Sequence, residues 1–216
     1  MNMADQKVEY AKVVKVLATG SNRGFQTQLT LPSATTMTDG GSYINFYCGL
    51  AGFECGISKP GGQTKWHWFV NNANGETNPP SQPFIYSDGS NVTIKLYIDD
   101  TTSKINFAVN GAIVHTSTNT YSSASDARLI IAACSTSWVP TAVPSPLPAW
   151  NVWHNQVVGA SMKYKNATNA WINVTSSNST ATPSHTPNVT TPVPVNYTYD
   201  ANSLNLSTIY ASLKQA

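Results

Sequence analysis

Between residues 42 and 59 apolar and polar positions alternate. Ile44, Phe46, Cys48 and Leu50, then Phe53, Cys55 and Ile57, share one parity; Tyr43, Asn45 and Tyr47, then Glu54, Gly56 and Ser58, share the other. Two such runs joined by Ala51-Gly52 predict an antiparallel hairpin with one face in a core. The same period recurs in residues 91–111. Val92, Ile94, Leu96 and Ile98 point one way, opposite Thr93, Lys95, Tyr97 and Asp99; after an Asp-Thr-Thr-Ser turn, Ile105, Phe107 and Val109 rejoin the apolar side, opposite Asn106, Ala108 and Asn110. Strict alternation over adjacent strands is the mark of a half-buried antiparallel sheet.

Further strands are expected in residues 24–32, with Phe25, Thr27, Leu29 and Leu31 on one side and Gln26, Gln28 and Thr30 on the other. Residues 155–165 and 169–175 hold two more. The run "ARLIIAACS" is apolar on both parities, which suits a mid-sheet strand covered on both faces. The opening "VEYAKVVKVLAT" fits a strand or a short amphipathic helix. The tail "SLNLSTIYASLKQA" has room for one short helix. "VPTAVPSPLPAW" is too proline-rich for a sheet interior, and "SSNSTATPSHTPNVTTPVPV" reads as an extended loop or linker. The expected fold class is therefore all-β, a jelly-roll sandwich of two antiparallel sheets over residues 1–175. Residues 176–216 form a Pro/Ser/Thr-rich extension that packs on the sandwich or stands off it.

Composition narrows the function. Charged residues make up 10% of the 216-residue chain and the net charge is +2. With no Lys/Arg run, nucleic acid is not the expected partner. No apolar stretch reaches the roughly 18 residues of a membrane helix, so no membrane insertion is expected. The Ser/Thr/Asn-rich texture, with Asn-x-Ser/Thr sites at Asn91, Asn166, Asn173, Asn178, Asn188, Asn196 and Asn205, suits an extracellular, secreted protein. Three cysteines are too few for a disulfide scaffold. Cys48 and Cys55 face each other across the hairpin, as a cross-strand disulfide or as two small core residues; Cys134 reads as core. No zinc spacing occurs, and no cofactor is expected. A calcium ion at the Asp99–Asp100 turn would need further oxygen ligands; ordinary backbone capping explains that turn as well.

The stretches "YINFYCGLAGFECGISK…KWHWF" and "VTIKLYIDDTTSKINFAVNG" together resemble the concanavalin A-like lectin/glucanase superfamily, over about residues 25–135. The resemblance implies two bent antiparallel sheets. Members bind glycans, cleave glycans or cleave peptides, so it leaves function open. The E-x-D-x-x-E pattern of the superfamily's glucanases is absent, as is the calcium-ligand pattern of legume lectins. The glutamic peptidases of this fold pair a Gln with a Glu; Gln26 or Gln28 with Glu54 is the pair on offer, outside their surrounding motif.

A glycan groove needs flat aromatic faces and amide or carboxylate partners for hydroxyls. Tyr43, Asn45, Tyr47, Lys95, Tyr97, Asn106 and Asn110 supply both on the polar parity, although a plain solvated sheet surface also favours Tyr and Thr. Trp66 and Trp68 join this set if Phe69 is core; if the tryptophans are core, His67 faces the groove. Trp138, Trp150 and Trp153 are expected to anchor the proline-rich segment. His115 and His154 read as structural. A glycosidase needs two carboxylates about 5–10 Å apart. The three glutamates are Glu9, Glu54 and Glu76; only Glu54 has groove parity, with Asp99 or an unplaced Asp as partner, and Glu76 reads as solvated. Partial burial among tyrosines would make Glu54 a proton donor; pairing with a lysine such as Lys95 would not. The scarcity of carboxylates favours a non-catalytic carbohydrate- or cell-surface-binding protein, with polysaccharide or glycan as partner. The alternatives are a glycoside hydrolase or lyase using Glu54, and a structural or interaction protein. Oligomeric state is not legible.

Overall fold

The β-period seen in the sequence is realised as strands throughout the computed structural model, which describes residues 6–18, 20–37, 42–80, 82–138, 152–186, 195–199 and 208–215. Fifteen strands are found there and no helix among the described residues. A six-stranded antiparallel sheet runs in the order β13 (Ser179–Thr186), β1 (Gln6–Leu17), β10 (Arg128–Trp138), β4 (Tyr43–Leu50), β5 (Phe53–Pro60), β6 (His67–Asn72). A second antiparallel sheet has the path β14 (Val195–Tyr199), β15 (Ile209–Gln215), β11 (Val152–Asn166), β2 (Asn22–Thr30), β7 (Asn91–Ile98), β8 (Lys104–Val109), β9 (Ala112–Thr120). Two short strands, β3 (Thr35–Thr36) and β12 (Trp171–Asn173), also pair with β11 and complete its nine. The chain is an all-β sandwich of two antiparallel sheets.

The sheets meet through their apolar parities, with β4 packed on β7 and β2. Ile44, Phe46, Cys48, Phe53, Cys55, Ile57, Leu129 and Ile131 come from one sheet, and Phe25, Leu29, Ile94, Leu96, Phe107 and Val157 from the other. Full burial of each large side chain is worth about 1.5–3 kcal/mol, and one continuous core gathers them all. Cys48 and Cys55 are paired across the hairpin, buried and free. They are the core residues of the sequence reading rather than its disulfide, and burial pushes both thiols up in pKa.

Three segments differ from expectation. Residues 6–17 form β1 and not a helix. The tail forms β15, paired with β11, where a helix was allowed. Within the stretch read as a linker, β13 pairs with β1 along its length. Pro183 is tolerated there because β13 is an edge strand, whose outer side makes no ladder bonds. Trp150 lies outside the described residues, as do the side chains of Trp138 and Cys134. Trp153 stands opposite Thr36 of β3.

Candidate functional site

Register sets out the outer face of the six-stranded sheet in rows. One row reads Ile130, Tyr47, Gly56, Phe69; the next reads Ala132, Asn45, Ser58, His67; a third reads Arg128, Gly49, Glu54, Asn71. Two glycines shape this face. At Gly56 a Cβ would sit 2.4 Å from Tyr47 Cβ and 2.1 Å from the Phe46 carbonyl oxygen. The bare position lets Tyr47 lie against the strand and meet Phe69 edge to face, with centroids 5.8 Å apart. At Gly49 the vacant space is filled by Arg128, whose side chain would come within 2.9 Å of a Cβ. Arg128 thereby crosses β4 and pairs with Glu54 at 3.1 Å.

The middle row carries the site's chemistry. Asn45 Oδ1 and His67 Nδ1 are buried atoms with no hydrogen-bond partner among the described residues. Their strands flank β5, so the two residues stand about 10 Å apart, twice the usual strand spacing, with Ser58 between. Burial holds His67 below its ordinary pKa, so the imidazole is neutral at pH 7. Its ring lies 4.5 Å from that of Phe84, an exposed residue of the 73–90 loop. Tyr43 and Tyr47 pack beside Ile130 and Ala132 on the other flank. An orphaned acceptor and a neutral imidazole between aromatic rings suit a ligand whose groups both donate and accept hydrogen bonds, as hydroxyls do.

The sequence-predicted set divides between opposite faces of the sandwich. Tyr43, Asn45, Tyr47 and Glu54 share the face just described. Lys95, Tyr97 and Asn106 lie on the outer face of the nine-stranded sheet, so the set does not form one groove. Trp66 and Trp68 are 0% and 9% exposed and belong to the core, a correction that leaves His67 and Phe69 outward. Trp66 stacks on Phe46 and donates its Nε1–H to Asp88 at 2.7 Å; Trp68 meets Phe107. Asn110 is a turn residue at φ 50°, and its Oδ1 accepts from the Thr93 amide. Gln26 and Gln28 sit on β2, in the sheet opposite Glu54, so neither glutamine forms a pair with it.

Glu54 pairs with Arg128 rather than with Lys95, and a second carboxylate stands on the same guanidinium. Its guanidinium partner Arg128 also binds Asp126, and Asp126 receives the amides of Ala51 and Gly52 in the hairpin turn. Asp99 serves its own turn, accepting from the Thr101 and Thr102 amides. No three His, Cys, Asp or Glu side chains gather as a metal set among the described residues. Glu76, read as solvated, instead accepts from Tyr121 Oη at 2.7 Å and from the Thr118 and Asn119 amides. Desolvation opposes its charge, but these bonds win and its pKa falls below the ordinary value; Tyr121 is pushed up to about 12 by desolvation and by Glu76.

Arg128 and Phe84 were missed. Arg128 opens an apolar strand and its partner is 74 positions away, so no local pattern reveals it. Phe84 sits in a polar loop with no period to place its ring.

No family model matches the chain, and no curated protein does. Among solved structures, scytalido-glutamic peptidase in complex with a peptide-based transition-state analog is similar over 98% of this chain and 100% of its own, with a TM-score of 0.60 at 8% identity. A second complex of that peptidase gives the same TM-score at 9% identity. A Caenorhabditis elegans galectin matches 58% of this chain and 89% of its own at 13% identity, with a TM-score of 0.32. At such identities the peptidase likeness concerns the sandwich fold alone.

Proposed function

We propose that the protein is a concanavalin A-like, non-catalytic binder of neutral polysaccharide that works outside the cell, through the outer face of its six-stranded sheet. The observation that carries this reading is the row Asn45–Ser58–His67, with two buried polar atoms lacking partners between Tyr43, Tyr47, Phe69 and Phe84. Buried polar groups are mostly satisfied in folded proteins, and two orphaned atoms on one row beside aromatic rings suit the hydroxyls of a ligand. Aromatic edges and faces on either side supply the apolar contact a sugar ring needs. Glu54 is held by Arg128, which supports binding over acid–base turnover. The low charge and Ser/Thr/Asn-rich surface support the extracellular setting.

The test is retention of the full chain on a panel of insoluble and soluble neutral polysaccharides, with reducing-end release measured in parallel. Retention by at least one polysaccharide, weakened about tenfold by Asn45→Ala and by His67→Ala, is expected. Absence of retention across the panel overturns the reading. Reducing-end release by the parent that Glu54→Gln abolishes would install the hydrolase or lyase reading in its place.

A further inference from the structure

We propose that the outer face of the nine-stranded sheet is a second binding site, for an acidic saccharide whose carboxylate or sulfate is received by Lys95 and Lys163 beside the rings of Trp171 and Tyr97. The register aligns Lys163, Gln26 and Lys95 in one row across β11, β2 and β7. The adjoining row places Trp171, Lys165, Gly24 and Tyr97 side by side. Gly24 makes the platform: a Cβ there would lie 3.1 Å from Trp171 Cη2 and 2.8 Å from Tyr97 Cβ. Across this gap the indole meets the phenol ring at 6.5 Å and 66°.

The lysines of this face differ in what they hold. Lys165 is engaged, donating to the Ile98 carbonyl oxygen and to Asp100. Asp100 is shared further, with Arg23 at 3.8 Å. Lys95 lies over rings: its Nζ is 4.4 Å from the Tyr97 centroid and 4.8 Å from that of Trp171. Among the described residues neither Lys95 nor Lys163 has an ion-pair partner. Burial and the charge of Lys165 hold Lys95 below its ordinary pKa against the pull of Asp100. An ammonium held over two rings with no carboxylate partner suits an anionic oxygen. The Gln26 amide and the indole face beside it suit the hydroxyls and C–H surface of the same sugar. A neutral glycan would leave Lys95 and Lys163 uncompensated.

Affinity electrophoresis of the full chain in gels containing polygalacturonate, dextran sulfate or unsubstituted dextran tests this. One or both polyanions are expected to retard the protein in 50 mM salt, dextran not. The carboxylate and sulfate arms separate the two sources of the anion. Lys95→Met and Trp171→Ala are each expected to weaken that retardation about tenfold, with Lys95→Gln and Trp171→Tyr as better-packed second variants. Lys65→Met, an equal loss of charge at an exposed position ahead of β6, leaves it unchanged; neutral-polysaccharide retention is scored separately, so failure here is distinguishable from failure of the neutral-glycan reading. No retardation by either polyanion overturns the proposal. So does retardation that all the Lys95 and Trp171 variants retain, which would assign it to the net charge alone.

Discussion

Arg128 on β10 reaches across the bare backbone of Gly49 on β4 to meet Glu54 on β5 at 3.1 Å, so one side chain ties three adjacent strands. The reach exists because Gly49 has no side chain. Gly56, one row along, does the same for Tyr47, but what it faces is different. An added Cβ at Gly49 meets the flexible Arg128 side chain; an added Cβ at Gly56 meets the Phe46 carbonyl oxygen.

Gly49→Ala is therefore expected to displace Arg128 and break a partly exposed ion pair, at a cost of about 1 kcal/mol or less. Gly56→Ala has no flexible neighbour to move, so β4 and β5 must separate, at a cost of about 3 kcal/mol or more. Urea unfolding of both variants measures the difference. Equal midpoints would contradict the distinction between side-chain and backbone obstruction.

Lys59 and Asp88 form a largely buried ion pair where the 73–90 loop meets β5. Their side chains are 6% and 32% exposed, with Lys59 Nζ 2.8 Å from Asp88 Oδ1 and 3.0 Å from Thr35 Oγ1. The pair lines a shallow cleft with Met37 and Gln63 and fastens the 73–90 loop to the sandwich end. Asp88→Ala strands both the Lys59 ammonium and the Trp66 Nε1–H, and is expected to cost about 2–4 kcal/mol. Lys59→Met leaves a carboxylate with some access to water, and about 1–2 kcal/mol is expected. A double-mutant cycle should return a coupling near 1–2 kcal/mol; additive costs would refute the pair's role as a fastener.

His154 is 1% exposed, and burial lowers its pKa to about 4. Its Nδ1 lies 2.7 Å from the Asn155 carbonyl oxygen, an acceptor, so Nδ1 carries the proton and Nε2 is the bare nitrogen. Above pH 6.5 both folded and unfolded chains hold it neutral. Below that, the unfolded chain takes a proton and the folded chain does not until about pH 4. Stability is then expected to fall as pH drops through this window, by roughly 3 kcal/mol in total. His154→Leu should flatten that slope while losing about 1 kcal/mol at pH 7 with the Asn155 bond. Glu76, whose pKa is lowered, contributes in a lower window: its stabilisation is present above about 4.5 and is lost as pH falls through the folded value. Urea unfolding between pH 7.5 and 4.5 separates the two; a slope unchanged in the His154 variant would remove the histidine from the account.

Alternation is a local property, and what depended on it was legible. The parity of Ile44–Leu50, of Val92–Ile98 and of Ile105–Val109 foretold which side chains enter the core, because a strand turns each successive residue to the opposite face. The double-sided apolar run of Leu129–Ala132 foretold a covered central strand, and β10 lies between β1 and β4. Local pattern also narrowed the tryptophans: once Trp66 and Trp68 are core, His67 must face the other way.

Which sheet a strand joins is settled by partners far along the chain, and parity is blind to it. Tyr47 and Tyr97 look alike in sequence, yet β4 and β7 pack face to face and send them to opposite sides of the sandwich. The linker-like composition of residues 179–186 concealed a strand because the ladder on β1 supplies what propensity lacks. The meeting of Arg128 with Glu54 and of Trp171 with Tyr97 needs a glycine in the intervening strand at the right register. Composition and period determined the layers; only the three-dimensional pairing of strands decided what each outer face holds, because a face is assembled from neighbours that the chain's order does not place side by side.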